Sequence, residues 1–404
     1  MADDVKSKDE LERRDFLKGG VAVGVGALLT TLAANKTAAA APAPAAAPAA
    51  APAAAPAAPQ LRMADVLRVA REKLMPLCRV CPECDGVACA GEVPGFGGIG
   101  SGKAFKNNYN ELARIELVMR TFHGMKAPDL SVDIFGHKLE FPCMSAPTGG
   151  VTYNMGNKMS EEDYITSILG GCIDAGTIGW PADGIGDGPD VYTKRLAILK
   201  SFGGKGIPTI KPRAQDEIIK RFKIVEEAGA IAVAVDIDSA GRAARAQPGQ
   251  IVEPKTPQQL TELVKATKLP FIIKGVMTVE EAKIAVDVGA KGIVVSNHGG
   301  RVLDYTPGGV AVLPEIADAV KGKILILIDG GIRRGVDVLK CLALGADAAM
   351  IGRPLIRGAH GGGREGVAMM MRAVRTQMTD AMVLTNVQSA RNVPRSIIAE
   401  TKKA

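Results

Sequence analysis

The sequence predicts an α/β chain built on a (β/α)8, or TIM, barrel with a Cys/Gly-rich N-terminal segment. Three observations predict the barrel. From residue 140 onward, eight apolar runs of strand length recur, segments of helical period separate them, and glycines and polar residues gather where the runs end. Strands apolar throughout are buried on both faces, and their alternation with amphipathic helices makes a parallel sheet covered by helices. Eight such units in about 250 residues fit the barrel.

In order, the runs are Phe141–Pro147, Gly176–Trp180, Ile207–Lys211, Ile231–Ile237, Pro270–Gly275, Gly292–Ser296, Ile324–Asp329 and Ala348–Gly352. The helical segments between them include Asp216–Glu227, Pro257–Thr267, Val279–Val288 and Gly335–Leu344. Ligands of such barrels sit at the carboxyl ends of the strands. Strand one ends in Ala146-Pro147-Thr148-Gly149-Gly150, strand four in Asp236-Ile237-Asp238 and strand five in Lys274-Gly275. Strand six ends in Ser296-Asn297-His298, strand seven in Asp329-Gly330-Gly331-Ile332-Arg333 and strand eight in Gly352-Arg353-Pro354. The last two suit a phosphate, because glycine N–H groups and guanidinium groups meet a dianion where barrels commonly hold one. One Gly-Gly is a loop turn; six polar rims together form a ligand face.

The sharpest chemistry lies in Ser296–Asp304, which reads SNHGGRVLD. His298 can move a proton near neutral pH. Arg301 can hold a planar carboxylate through two parallel hydrogen bonds. A lone histidine at a strand end is more often structural than catalytic, so its neighbours decide. Here they resemble the FMN-dependent α-hydroxy acid oxidase and dehydrogenase family, the glycolate oxidase and L-lactate dehydrogenase relatives. The resemblance runs from about Asn108 to Arg391. SNHGGR at 296–301 is close to the family's active-site signature. DGGIRR at 329–334 and IGRP at 351–354 are similar to its flavin phosphate motifs, and SAPTGG at 145–150 to its first flavin loop.

The resemblance implies FMN-dependent oxidation of a 2-hydroxy acid, lactate- or glycolate-like or a larger analogue, to the 2-oxo acid. It gives His298 the part of catalytic base, Arg301 that of substrate-carboxylate arginine and Asp236 that of the carboxylate orienting the histidine. Lys274 matches the lysine beside the flavin N1 and O2 edge, where a cation favours the reduced flavin. Ser296, Asp329, Gly330, Gly331, Arg333, Gly352 and Arg353 match flavin contacts, and Pro147, Thr148 and Gly149 the loop packed on the ring. Lys211 aligns with a family Gln and is expected among the flavin contacts. The implied electron acceptor is a quinone, a cytochrome or oxygen, and a homo-oligomer is expected. Two other readings, an exported redox protein without hydroxy-acid turnover and a non-oxidative FMN isomerase, leave the set of His298, Arg301 and Asp236 without a purpose.

The chain departs from the family pattern at its outer wall. Gly91–Ser101 contains no Tyr where the family has one. Arg213 aligns with a second family Tyr, a family arginine falls on Ala243 with Arg242 and Arg245 close by, and Val302 ends the signature in place of Gln. Extra cations there suit a larger or more acidic substrate.

Ahead of the barrel, Glu12–Lys18 reads ERRDFLK, followed by a glycine-rich apolar run to Leu32 and small residues around Thr37–Ala41. This is a twin-arginine export signal, residues 1–40, and it predicts a periplasmic or extracytoplasmic protein, free or membrane-associated. Residues 41–60, nearly all Ala and Pro, form a semi-stiff linker. A Cys-rich and helical segment is expected at 61–130, the FMN barrel at 131–392 and a polar tail at 393–404. The net charge of +7 comes without aromatic–basic interleaving, so no nucleic-acid partner is expected.

Of seven cysteines, Cys143, Cys172 and Cys341 sit in apolar runs and read as buried thiols. Cys78, Cys81, Cys84 and Cys89 cluster with spacing C-x2-C-x2-C-x4-C. The first three resemble an iron–sulfur ligand run, although the last gap is long and Pro82 follows the second. Zinc would also take four thiolates, and an exported chain could form two disulfides. A metal centre is preferred, iron–sulfur before zinc, because C-x2-C loops are strained as disulfides.

Overall fold

The computed structural model describes residues 61–188 and 190–399. The expected export signal, the linker up to residue 60 and the last five residues of the tail lie outside the described residues. Helices α1 (Met63–Leu74) and α2 (Lys103–Ala113) precede a short antiparallel hairpin, β1 (Val132–Ile134) and β2 (His137–Leu139). The barrel strands follow as β3 (Cys143–Ser145), β4 (Thr209–Ile210), β5 (Val233–Asp236), β6 (Phe271–Val276), β7 (Gly292–Val295), β8 (Leu325–Ile328) and β9 (Ala348–Ile351). They pair in parallel, in the order β3-β9-β8-β7-β6-β5-β4.

The second strand expected, Gly176–Trp180, stands between β3 and β4 and closes the ring. It is held by isolated parallel bridges, Gly179 to Gly206, Thr148 to Pro181 and Ala182 to Thr209. Pro181 and Pro208 supply no N–H, so the ladder on either side of this strand is interrupted and β4 is only two residues long. The acceptors are still used. Thr209 N–H donates to Pro181 O at 2.9 Å and Ala234 N–H to Pro208 O at 2.9 Å.

Helices alternate with the strands as expected. A single turn, α3 (Val151–Asn154), lies in the first loop, followed by α4 (Glu161–Asp174), α5 (Val191–Ser201), α6 (Gln215–Glu227), α7 (Pro257–Lys265), α8 (Val279–Asp287), α9 (Gly309–Val320), α10 (Gly335–Ala343) and α11 (Arg353–Thr385). Thr256 and Gln259 close a capping box on α7, with Pro257 at its first turn. Strands β5, β7 and β9 bury every residue, the signature of a sheet covered on both faces. Cys143, Cys172 and Cys341 are buried, as their apolar surroundings predict. Among the described residues no helix is long and apolar enough to cross a membrane.

The segment 61–130 packs on the barrel as part of one compact unit. Two glycines permit this. A Cβ on Gly361 of α11 would stand 1.9 Å from the Val66 carbonyl oxygen of α1. A Cβ on Gly300, at φ +76°, would stand 2.3 Å from the Phe105 nitrogen of α2. The second contact brings the N-terminal segment against the SNHGGR loop.

Candidate active site

A cavity of about 490 Å³ opens at the carboxyl ends of the strands, within the usual range for a cofactor site. It is lined from strand one by Pro147, Thr148 and Gly149, and from the later strands by Lys211, Lys274, His298, Arg301, Asp329, Gly330, Gly331, Arg333, Gly352 and Arg353. Thirteen expected residues therefore converge on one space. Asp236 and Ser296 do not line it.

Beneath the cavity floor lies a closed ionic network. Residues opposite one another on β5 and β6 are Asp236 and Lys274, and their side chains meet at 3.0 Å. Lys211, just past β4, reaches the other Asp236 oxygen at 2.6 Å, and Ser239 donates to the same oxygen at 2.9 Å. Lys274 also donates to Ser296 Oγ at 3.2 Å, and Ser296 donates to Asp329 at 2.6 Å while accepting from the His298 backbone N–H at 3.0 Å. Ser296 is thus a fully buried brace under the cavity. Burial pushes the Asp236 carboxyl up, but Lys211 and Lys274 outweigh it and hold the group well below its usual range. Burial also pushes the Lys274 ammonium down, and Asp236 and Asp238 more than restore it.

His298 sits in a left-handed backbone conformation, φ +59°, at the end of β7. Its Nδ1 lies 2.9 Å from Asp238 Oδ1 and 3.5 Å from Asp236 Oδ1. The direct partner of the imidazole is therefore Asp238, not Asp236. The reason is occupancy: both Asp236 oxygens face lysine ammoniums, whereas Asp238 extends from the turn after β5. Burial and the Asp236 charge push the Asp238 carboxyl up. The Asp236-Ile237-Asp238 rim was readable in the sequence, yet spacing alone could not say which carboxylate the lysines would occupy. With Nδ1 engaged, Nε2 is the ring nitrogen left for the cavity, the arrangement of an oriented base. The three groups lie close enough for a cation, but Lys211 and Lys274 already supply the positive charge.

The mouth differs. Arg301 donates to Asn154 Oδ1 at 2.9 Å and to Gly95 O. Burial, Arg353 and Arg242 push its guanidinium down to about 9. Arg242 and Arg245 line the same wall, and the buried Arg242 Nε has no partner among the described residues. Another cation expected to enrich this wall, Arg213, is spent internally. Arg213 is buried and grips Asp183 at 2.7 and 2.9 Å, and Lys211 belongs to the network below. Tyr153, on α3, lines the cavity with its hydroxyl 3.3 Å from Asp187. Sequence reading missed Tyr153 and Asn154. Their only signal was position, a few residues after the first glycine loop.

At the far end, Arg353 lies 3.8 Å over the Phe105 ring and donates to Phe96 O at 2.8 Å and Gly299 O at 3.1 Å. Burial pushes it down to about 10. Arg353 opens α11, whose N-cap, Gly352, offers no side chain to the first N–H groups. A free helix N-terminus beside Arg333 and Arg353 is a site for a phosphate.

The four clustered cysteines line a second, small cavity together with Phe96, Arg353 and Arg357. All four are free thiols. Among the described residues, only Asp236, Asp238 and His298 bring three metal-ligating atoms within 4.8 Å of one another, so the thiols do not form a preset single-ion site. Burial pushes the Cys84 thiol up, and Arg333, Arg357 and Arg353 together bring it below its usual value.

Comparison with known proteins adds identity to this geometry. Residues 96–163 and 209–400 match the family model described as FMN-dependent dehydrogenase. Glycolate oxidase 3 of Arabidopsis thaliana is 30% identical over 338 residues, covering 72% of this chain and 87% of its own. 2-Hydroxyacid oxidase 1 of Mus musculus is 29% identical, covering 74% of this chain and 89% of its own. The crystal structure of mandelate oxidase with benzoyl-formic acid is similar at a TM-score of 0.67 and 29% identity, covering 82% of this chain and 96% of its own. The interval between the matched stretches, 164–208, carries Asp183 and Asp187, the partners of Arg213 and Tyr153. Cys78–Cys89 precedes the matched residues.

Proposed function

The chain belongs to the FMN-dependent dehydrogenase family, and from that premise we propose that its cavity removes two electrons and two protons from a 2-hydroxy acid, leaving the 2-oxo acid. The observation that carries this reading is the imidazole of His298, braced by Asp238 at 2.9 Å, in one cavity with a guanidinium, Arg301, that no carboxylate among the described residues occupies. The residues present fit FMN. Arg353, Arg333 and the N-terminus of α11 would hold its phosphate, and the buried Lys274 ammonium would hold its electron-rich edge. Bound FMN supplies the two-electron acceptor.

The residues divide the remaining work. Arg301, with Arg242, holds the substrate carboxylate. His298 accepts a substrate proton at Nε2, and Asp238 stabilises the imidazolium that results. Asp236 sits between Lys211 and Lys274, so it keeps those charges fixed while His298 takes up the substrate proton. The electrons leave to a quinone, a cytochrome or oxygen, and the twin-arginine pair Arg13-Arg14 supports an extracytoplasmic site of action for a chain exported folded and loaded. Anaerobic titration with a panel of 2-hydroxy acids should bleach the bound flavin. If photochemical reduction bleaches it and no 2-hydroxy acid does, the reading is wrong.

A further inference from the structure

The sequence between α1 and α2 carries little regular structure, yet it brings four cysteines to one place. Cys78 closes the turn after α1, donating its N–H to Leu74 O at 2.9 Å. Val80 then adopts φ +47°, a conformation rare for a β-branched residue, and Cys81 follows at once. Gly86, at φ +84°, turns the chain between Cys84 and Cys89. The outcome is a small cavity lined by all four sulfur-bearing residues, with Cys78 only 5% exposed and the other three half-buried. Arg79, Arg353 and Arg357 face the same cavity, beside the carboxylates Glu83 and Asp85, so three guanidiniums stand within reach of thiolate charge.

We propose that Cys78, Cys81, Cys84 and Cys89 hold an iron–sulfur cluster as four thiolates. Spacing separates this from zinc. Tetrahedral zinc at about 2.3 Å from each sulfur would draw the thiolates to ~3.8 Å from one another. Among the described residues, no three of these sulfurs lie within 4.8 Å of one another. A cluster places several metal and sulfide atoms between its ligands, so its thiolates stand wider apart than those on one zinc. The C-x2-C-x2-C run is the spacing such clusters use. All four thiols are unpaired, and the surrounding guanidiniums would offset the charge of a thiolate-bound cluster.

The cluster site and the phosphate end of the larger cavity share parts. Arg333 donates to Cys84 O at 2.8 and 3.2 Å, Arg357 to Cys81 O at 3.2 Å and Arg353 to Phe96 O at 2.8 Å. Phe96 and Arg353 line both cavities. The cysteine loop therefore positions Arg333, one of the arginines that would meet the FMN phosphate, and its cavity shares Arg353, the other, so loss of the cluster should loosen flavin as well.

The test uses the full protein purified without oxygen. Chemical analysis should find iron and acid-labile sulfide, with a cluster spectrum that dithionite alters, measured by absorbance and electron paramagnetic resonance. A Cys81→Ser/Cys84→Ser variant should lose both elements and retain FMN severalfold less tightly. Chelator stripping of the wild-type protein should weaken FMN retention in the same direction, which covers the case of a variant that fails to fold. Zinc without sulfide, disulfides by non-reducing mass spectrometry, or four unligated thiols would each overturn the assignment. Bleaching by a 2-hydroxy acid can succeed in any of those cases, so the cluster and the oxidation stand or fall separately.

Discussion

The floor and the mouth of the cavity are both rich in charge, but they treat it in opposite ways. On the floor, Lys211, Lys274 and His298 meet Asp236, Asp238 and Asp329 at hydrogen-bond or near-contact distance. At the mouth and the phosphate end, the cations bond to neutral oxygens instead: Arg301 to Gly95 and Asn154, Arg353 to Phe96 and Gly299, Arg333 to Cys84, Arg245 to Val93. A buried charge left without a counter-ion is costly, and here burial depresses Arg301, Arg353 and Arg242. The contrast teaches where ligand charge belongs. The floor is complete and fixes geometry. The arginines are incomplete and await anions, a phosphate at one end and a carboxylate at the other.

The largest effect should come from the one group that links the two regions. His298→Ala should retain FMN but lose substrate-driven flavin reduction by several orders of magnitude. That exceeds the roughly 10²–10⁴ of a single acid–base group, because His298 also balances charge that develops during reaction. Anaerobic rapid mixing checks this, and near-normal reduction would remove His298 from the mechanism. Next, Arg353→Glu places a carboxylate where the structure holds an unneutralised guanidinium. FMN should then be absent from the purified protein, and full flavin content would show that the phosphate sits elsewhere.

A paired substitution on the floor separates orientation from charge balance. Asp238→Asn should keep the fold and lower the rate of flavin reduction by roughly 10²–10⁴, since the imidazole loses the carboxylate that fixes it. Asp236→Asn removes the shared partner of two lysines and should cost about 3–5 kcal/mol of stability, read as a lowered denaturation midpoint. If Asp236→Asn is the more severe in rate and the milder in stability, the two carboxylates have exchanged roles.

How much of this was legible in the sequence follows from what each feature depends on. Strands buried on both faces leave an unbroken apolar run, so seven barrel strands were found to within a few residues. The eighth lost its regular ladder to Pro181 and Pro208 but kept its place. The rim residues were legible because motif and strand end coincide. What failed was side-chain partnership. Arg213 read as a free cation at the wall and Lys211 as a flavin contact, and each is engaged by a carboxylate, Asp183 or Asp236. Asp183 lies in the interval outside the family match and about thirty residues from its partner, so no local pattern announces it. Asp238 was visible and ranked below Asp236, since only three-dimensional packing shows that the lysines saturate the latter.

The smallest of these effects tests the mouth without altering the chain. With Arg301 pushed down to about 9 by burial and by Arg353 and Arg242, the free protein holds it charged below that pH and releases its proton above it. The sign follows directly. A lowered pKa means the neutral form gains as pH rises, and the neutral form gives a substrate carboxylate no ion pair. The ratio kcat/KM should therefore be level on the acid side of about 9, as far as Arg301 governs it, and fall about tenfold per pH unit beyond. Saturating substrate should hold kcat steadier, because a bound carboxylate restores the charged form. Arg301→Lys should raise KM, since an ammonium cannot offer the fork, while leaving FMN content unchanged. A kcat/KM that stays flat well above pH 9 would mean that another cation, Arg242 foremost, takes the carboxylate, and the same profile on Arg242→Gln would then identify it.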